Sequence, residues 1–353
     1  MTTWGESHGP AIGVVIDGCP AGLPLNENMI NSALKKRAPG QSPYTSPRKE
    51  TDKATLLSGV FENQTTGTPI SILIPNNDTR KKHYSPIKHL LRPGHANFSY
   101  LEKYGIFDYR GGGRASARET ASRVAAGAVA AQLLATQKIT VHSYLTQIGD
   151  LKAANISSES TLLANTIDNS ALFWPEPTGD EKLMHHLNNI VATGDSVGGI
   201  VEFRIDNVPA GLGDPIYEKL EANLAKAMLS LPATKGIELG EGFKCVQLTG
   251  SQHNDHFCAQ SDAPMATNHA GGTLGGISTG MPIIGRVAFK PTSSIKKTQP
   301  TVDTKGNQAD FTLPEGSRHD PCVAIRAVPV VKAMCQLVLA DAYLMSLSSK
   351  IKP

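Results

Sequence analysis

Four short stretches of this chain carry residues able to move protons or hold anions: GESHG at 5–9, RPGHANF at 92–98, DYRGGGRASARET at 108–120 and RHDPC at 318–322. His8 beside Ser7, the glycine-flanked His95 and the His319/Asp320 pair each offer a group that exchanges protons near neutral pH. Taken singly, such a histidine is more often a satisfied structural residue. Taken together they make a site only if folding unites them. Around the triple glycine stand Arg110, Arg114 and Arg118. Glycine lets backbone N–H groups reach a ligand, and the planar guanidinium fork matches carboxylates and phosphates, so the combination points to an anion cradle. Ser116 and Glu119 sit at the mouth of an alanine-rich helix, where free N–H groups and the dipole favour negative charge. A plain helix-entry turn is the simpler alternative. The block matches neither GxGxxG nor GxxxxGK[ST], so a dinucleotide fold and a P-loop are unsupported.

A second glycine-and-hydroxyl cluster, NHAGGTLGGISTG at 268–280 with KPTSS at 290–294, combines backbone amides, hydroxyls and a lysine. Those are the groups a phosphate monoester such as the tail of flavin mononucleotide requires. HNDH at 253–256 fits no zinc spacing, and His185/His186 fall on a surface helix, so no metal is expected.

The elements that must position these groups recur in pairs. AIGVVID at 11–17 reads as a buried strand followed by a turn and a helix over 26–37, with Asn26 as cap and a basic last turn. The segment 198–228 repeats that order, with Asp214 as the expected helix cap and Pro215 at its first position. PAGL occurs at 20–23 and again at 209–212, and TGTPISILIP at 66–75 matches TGMPIIGRVAFKP at 279–291. Long apolar helices are expected over 115–137 and roughly 330–347. Small residues at Ala121, Ala125 and Ala128 place the first in the core, against a close neighbour. These pairs imply an internal duplication: a single domain over 1–353 with pseudo-repeats roughly at 1–140 and 190–353. The expected fold class is α+β, a layered β-α-β sandwich of antiparallel sheets around a central helical layer. Long polar loops at 76–93 and 252–276 are the functional candidates. The segments 155–169 and 298–316 read as plain surface excursions.

Composition narrows the class. The 353 residues are 40% hydrophobic, with a formal charge of +3 that is too mild to imply nucleic acid. The cysteines Cys19, Cys245, Cys258, Cys322 and Cys335 are odd in number and form no CxxC pair, so reduced thiols and a cytoplasmic location are expected. No signal peptide is evident, and no segment is expected to approach the ~18 apolar residues of a membrane span. A nucleotide-dependent phosphotransferase lacks its P-loop lysine and its paired carboxylates for Mg²⁺. An RNA-binding module would rest on the Lys81, Lys82, His83, Tyr84 loop alone, which reads better as a solvated lid.

TTWGESHGPAIG, RPGHANFSYLEKYG, DYRGGGRASARETASRVAAGA, GDSVGGIVE, NHAGGTLGGISTG, KPTSSI and RHDPCVAIRAVPV resemble, in this order and over nearly the whole chain, the signatures of the chorismate synthase family. The resemblance implies the β-α-β sandwich, a cytoplasmic homotetramer and a 1,4-elimination of phosphate from 5-enolpyruvylshikimate 3-phosphate to give chorismate. Reduced FMN (FMNH2) is implied as cofactor, reduced by NAD(P)H on the enzyme or by an external flavin reductase. It implies catalytic roles for His8 (protonating the leaving phosphate), His95 (protonating the flavin) and Asp320 (relaying the abstracted proton), with Ser7 and Ser116 as partners. Flavin contacts carried over are Arg114, Ala115, Ser116, Pro232, Ala233, Gly275, Lys290, Pro291, Thr292, Ser293, Ser294 and Arg318. Substrate contacts are Arg37, Arg110, Arg114, Arg123 and Arg318. No nucleic acid, membrane or metal is implied. Pro43 stands where the family commonly has arginine, so either Arg48 or a neighbour compensates or anion affinity falls. Asn97 stands in place of an aspartate and is expected to orient His95 less firmly.

Overall fold

The computed structural model describes the chain except Pro47, Lys49, Thr79, Arg80, Asn155, Thr178, 260–263, Glu315, Arg318, His319, Lys352, Pro353 and the side chains of Lys81, Lys82 and His83. Its first sheet is built from β1 (Thr2–Gly5), β2 (Ala11–Ile16), β3 (Thr55–Ser58) and β4 (Ile70–Pro75), paired antiparallel in the order β1-β2-β4-β3. In β4 the alternation is plain: Ile70, Ile72 and Ile74 are buried on one face, while Ser71 and Leu73 are less so on the other. Between β2 and β3 lies α1 (Glu27–Arg37), whose Asn26 cap accepts the Met29 N–H at 3.1 Å as its sequence anticipates.

After β4 come α2 (Asn97–Tyr104) and α3 (Thr120–Thr136). The second sheet contains β5 (Thr140–Ile148), β6 (Leu151–Lys152), β7 (Gly199–Asp206), β8 (Thr234–Leu239) and β9 (Ile283–Phe289), in the order β8-β9-β7-β5-β6. Helices α4 (Ser160–Asn169) and α5 (Gly179–Ala192) precede β7, α6 (Leu220–Leu229) precedes β8, and α7 (Val323–Ser346) follows β9. Both halves follow one strand order: β1-β2-β4-β3 in the first and β5-β7-β9-β8 in the second, with α1 or α6 after the second strand.

The helices form the middle layer. α3 faces β2 and β4, α7 faces β5 and β7, and the two helices pack on each other. Ala121, Ala125 and Ala128 are buried as expected, and at Gly127 a Cβ would stand 2.5 Å from the Ala333 Cβ. That approach brings the two helices, and with them the two sheets, close enough for one shared core.

Several boundaries differ from the sequence expectation. α3 begins at Thr120, because Ser116 is extended (φ −77°, ψ 145°) and separates two 3₁₀ turns, Gly113–Ala115 and Ala117–Glu119. α6 begins at Leu220, not beside Asp214 and Pro215. Ile216 has φ +67°, which no α-helix accommodates, and a Cβ at Gly213 would meet the Gly276 carbonyl at 2.5 Å. α7 starts at Val323 and runs through Pro329. The proline forfeits one N–H donor, yet Ala324, Ile325, Ala327 and Val328 are buried and hold the first turns in place. α7 is also long and apolar enough to cross a membrane by length and composition, against the expectation that no segment is; here it is mostly buried as the central core helix. The stretch 298–316 is more than an excursion: its hairpin, Gln299–Val302 with Gln308–Phe311, binds the Leu91 N–H through Val302 O at 3.0 Å and so backs the His95 loop. Within 155–169, α4 covers Tyr144 of β5 with Leu163 and Ile167.

Candidate active site

A cavity of about 650 Å³ opens where the turn after β1, the His95 loop, the glycine block, the segment 290–294 and the start of α7 meet. Among the described residues its walls carry Arg37, Arg48, Arg92, Arg114, Arg118, Arg123, Lys290 and Arg326, but only Glu119 and Asp320 as acids. That excess of positive charge selects anions.

The two histidines meet across the glycine block. Ser7 Oγ lies 3.1 Å from His8 Nδ1, both residues are buried, and the Tyr84 ring meets the His8 ring edge-on at 5.2 Å. A Cβ at Gly111 would lie 2.6 Å from His8 Nδ1 and 3.0 Å from Ser7 Oγ, and Gly111 has φ +75°. One at Gly112 would lie 3.3 Å from His95 Nε2 and 3.2 Å from Ser116 Cβ. Missing side chains are therefore what let His8 and His95 close on the same strip of backbone. His95 Nδ1 is buried and lacks a protein partner. Burial first, then the positive charges of Arg92 and Lys290, push His95 down to about 3, so its ring is neutral at pH 7.

Many of the arginines are already engaged. Arg37 donates to Asp52 Oδ2 at 3.1 Å, to Thr120 Oγ1 at 3.2 Å and to the Ala117 carbonyl, all within the core. Arg118 donates to Asp52 Oδ1, Asn76 Oδ1 (2.7 Å) and Pro75 O (3.1 Å). Burial alone would raise Asp52, yet the two guanidinium groups outweigh it and hold its carboxyl below the usual range. Arg123 pairs with Glu119 at 2.7 Å and reaches Ser230 O at 3.1 Å. Arg114 ties the glycine block to β1 through Gly5 O (2.9 Å) and Thr3 O (3.2 Å). Asp320 accepts from Ser46 N–H at 2.8 Å and from Arg326 at 2.9 Å, while Arg326 Nε is buried without a partner.

Of the residues the sequence singles out, the cavity gathers Ser7, His8, His95, Ser116, Asp320, Arg37, Arg114, Ala115, Arg123, Pro232, Ala233 and 290–294. Arg110 and Gly275 line none of it. Arg110 turns to its neighbour Asp108 at 2.8 Å, and Gly275 sits in an open turn with nothing within 4 Å of where a Cβ would be. Arg318 and His319 lie outside the described residues. Sequence reasoning passed over Arg92 and Arg326, although both lie inside quoted motifs. Arg92 bonds Gly111 O and Ser294 Oγ, each at 2.9 Å, and so joins three of the walls. Asn97 does not orient His95 directly. Its Oδ1 accepts the Arg92 N–H and its Nδ2 donates to Leu90 O, both at 3.1 Å, which closes the loop that carries the histidine. Arg48 reaches the cavity wall and bonds Ser7 O at 2.9 Å.

An antiparallel α+β sandwich with paired histidines in a basic pocket defines an enzyme for a small substrate. Comparison with known proteins makes this specific. The chorismate synthase family model matches residues 1–344. Chorismate synthase of Protochlamydia amoebophila is 59% identical over 98% of this chain and 95% of its own length. That of Roseiflexus castenholzii is 48% identical over 97% and 94%. A solved structure described as the crystal structure of chorismate synthase superposes with a TM-score of 0.77 at 32% identity, covering 98% of this chain and 92% of that one. The chain belongs to the chorismate synthase family, and is accordingly a lyase of the shikimate pathway.

Proposed function

We propose that the protein eliminates phosphate from 5-enolpyruvylshikimate 3-phosphate to give chorismate, with reduced FMN bound in the same cavity as the substrate. The observation that carries this reading is the placement of Ser7–His8 and His95 on one glycine strip inside a strongly cationic pocket. The pocket size falls within the ~300–1,000 Å³ of small-molecule sites. The residues present fit a flavin mononucleotide: Thr292 Oγ1 is buried without a protein partner, Lys290 and the 292–294 hydroxyls offer a phosphate its donors, and Pro232 with Ala233 offers an apolar wall. When bound, the reduced flavin supplies an electron-rich partner for a reaction that breaks an unactivated C–H bond without net redox change.

The chain's own residues bind, orient and move protons. The substrate's two carboxylates and phosphate are met by the basic walls. His8, its Nδ1 held by Ser7, protonates the departing phosphate. His95 is neutral until anions enter. Burial is the larger cause and remains, while a bound anion would offset the repulsion from Arg92 and Lys290 and so raise its proton affinity. Asp320, fixed by Ser46 and Arg326, takes up the ring proton. The same reading carries a cytoplasmic homotetramer. Phe243, Val246 and Phe257, each about four-fifths exposed, are apolar surface that assembly would cover. It also carries a source of reducing equivalents, either NADPH or a separate flavin reductase.

The test is an anaerobic assay with dithionite-reduced FMN, following chorismate absorbance. Chorismate should form from added 5-enolpyruvylshikimate 3-phosphate with reduced flavin as the sole cofactor, and His8→Ala or His95→Ala should each lower turnover roughly a hundredfold or more. No chorismate from the wild-type protein would overturn the reading, and near-normal turnover in either variant would remove that histidine's role.

A further inference from the structure

The turn that carries Ser7 and His8 is held through its carbonyls, and from one direction. Asn76 follows the last residue of β4, and the β2–β4 register, which pairs Ala11 with Pro75, sets Asn76 beside that turn. Its backbone N–H donates to Pro10 O at 3.0 Å, and its side-chain Nδ2 donates to both Glu6 O and Gly9 O at 2.9 Å. The amide cannot sit the other way round, because its Oδ1 accepts the Arg118 Nε–H at 2.7 Å. Ser7 O accepts from Arg48 at 2.9 Å.

Both grips are referred to one carboxylate. Glu50 has a fully buried side chain whose Oε1 accepts Arg48 Nε at 2.8 Å, while its Oε2 accepts the Asn77 N–H at 2.9 Å and stands 3.9 Å from Arg118. The segment holding Asn76 and the arginine holding Ser7 are thus locked to the same group.

We propose that Asn76, together with Arg48 fixed by Glu50, positions the Ser7–His8 pair for proton transfer. None of the three needs to touch the reacting atoms. The turn bearing His8 is a short, glycine-bounded connection between the paired ends of β1 and β2, and its internal backbone bond runs from the Gly9 N–H to Glu6 O at 3.1 Å. The clamp adds to that hold: four polar contacts, on the carbonyls of residues 6, 7, 9 and 10, fix the backbone from which the imidazole faces the glycine block. Supporting contacts of this kind are worth about 10–100-fold in activity, because a shift near 1 Å at a proton donor costs on that order.

This inference rests on the catalytic reading of His8, and the experiment separates the two. Asn76→Asp keeps the shape and the acceptor for Arg118 but turns an oxygen towards Glu6 O and Gly9 O in place of the donor. The readouts are anaerobic turnover with reduced FMN, the melting temperature, and the ¹⁵N resonances of the His8 ring in ligand-free, histidine-labelled protein, assigned with His8→Gln. The expected result is displaced His8 resonances and kcat lowered about 10–100-fold, with KM within about twofold and the fold retained. Arg48→Lys, which cannot span Ser7 O and Glu50 together, should move the same resonances in a protein with its buried carboxylate still paired. Unchanged His8 resonances in both variants would overturn the proposal, whatever happens to kcat. Displaced resonances with unchanged kcat would leave the clamp standing and remove His8 from the chemistry.

Discussion

Alanine at Gly111 gives a measure of how closely the glycine strip meets His8, the proposed proton donor. The added methyl would stand 2.6 Å from His8 Nδ1, where ordinary contact begins at 3.4 Å, so the ring or the strip must yield about 0.8 Å. His8 is 5% exposed and is hemmed in by Ser7 and the Tyr84 edge, so the displacement is not absorbed by a free rotation. A shift of that size at a proton-transfer group corresponds to roughly a hundredfold in turnover. The left-handed backbone, φ +75°, adds a stability cost of about 1–2 kcal/mol for any Cβ. Gly18 provides the control, since it has φ +80° with nothing within 4 Å of an added Cβ. Both variants should lose the backbone cost in thermal melts, Gly111→Ala losing more because of its clash, while only Gly111→Ala loses turnover in the anaerobic chorismate assay. Equal turnover in the two folded variants would show that the strip does not position His8, and the account of the triple glycine would fall.

Two further outcomes concern buried charge. In ligand-free protein the His95 ring should remain neutral from pH 8 to pH 5 by NMR. Inorganic phosphate or FMN should raise its pKa, and titration near 6.5 without ligand would refute the described environment. Because the unfolded chain binds that proton and the folded one resists it, stability should fall as pH drops from about 6.5 towards 3. Asp52→Asn should cost about 3–5 kcal/mol in denaturant unfolding, as it leaves Arg37 and Arg118 facing each other without their carboxylate. Asp52 is held below its unfolded value, so its contribution is present above about pH 4 and lost as pH falls further. The wild-type advantage over the variant should shrink in acid, and a pH-independent difference would contradict the pairing.

Local structure was largely legible. The Asn26 cap, the buried run of β2, the alternation of β4 and the small-residue face of α3 all follow from side chains within a few positions of one another. Boundaries failed where a distant contact intervened. The close approach of Gly276 O to Gly213 and the positive φ of Ile216 keep α6 from starting at Asp214, and burial in the helical layer carries α7 through Pro329. The positions of the histidine motifs were also plain, but Asn76 lay in a loop marked only as polar, with no local pattern to distinguish it. Its importance comes from a strand register that pairs residues more than sixty positions apart.

By itself the sequence determined the family, the elements and the kinds of group at the site, because each of these depends on residue type and short-range order. Only the tertiary structure decided which charges stay available to a ligand. Arg37, Arg110, Arg118 and Arg123 are alike in the sequence, yet Asp52, Asp108 and Glu119 claim them in different places. A guanidinium is free or committed according to the carboxylate that folding sets within about 3 Å of it, and that distance is not a property of the chain until the sheets have closed on the helices.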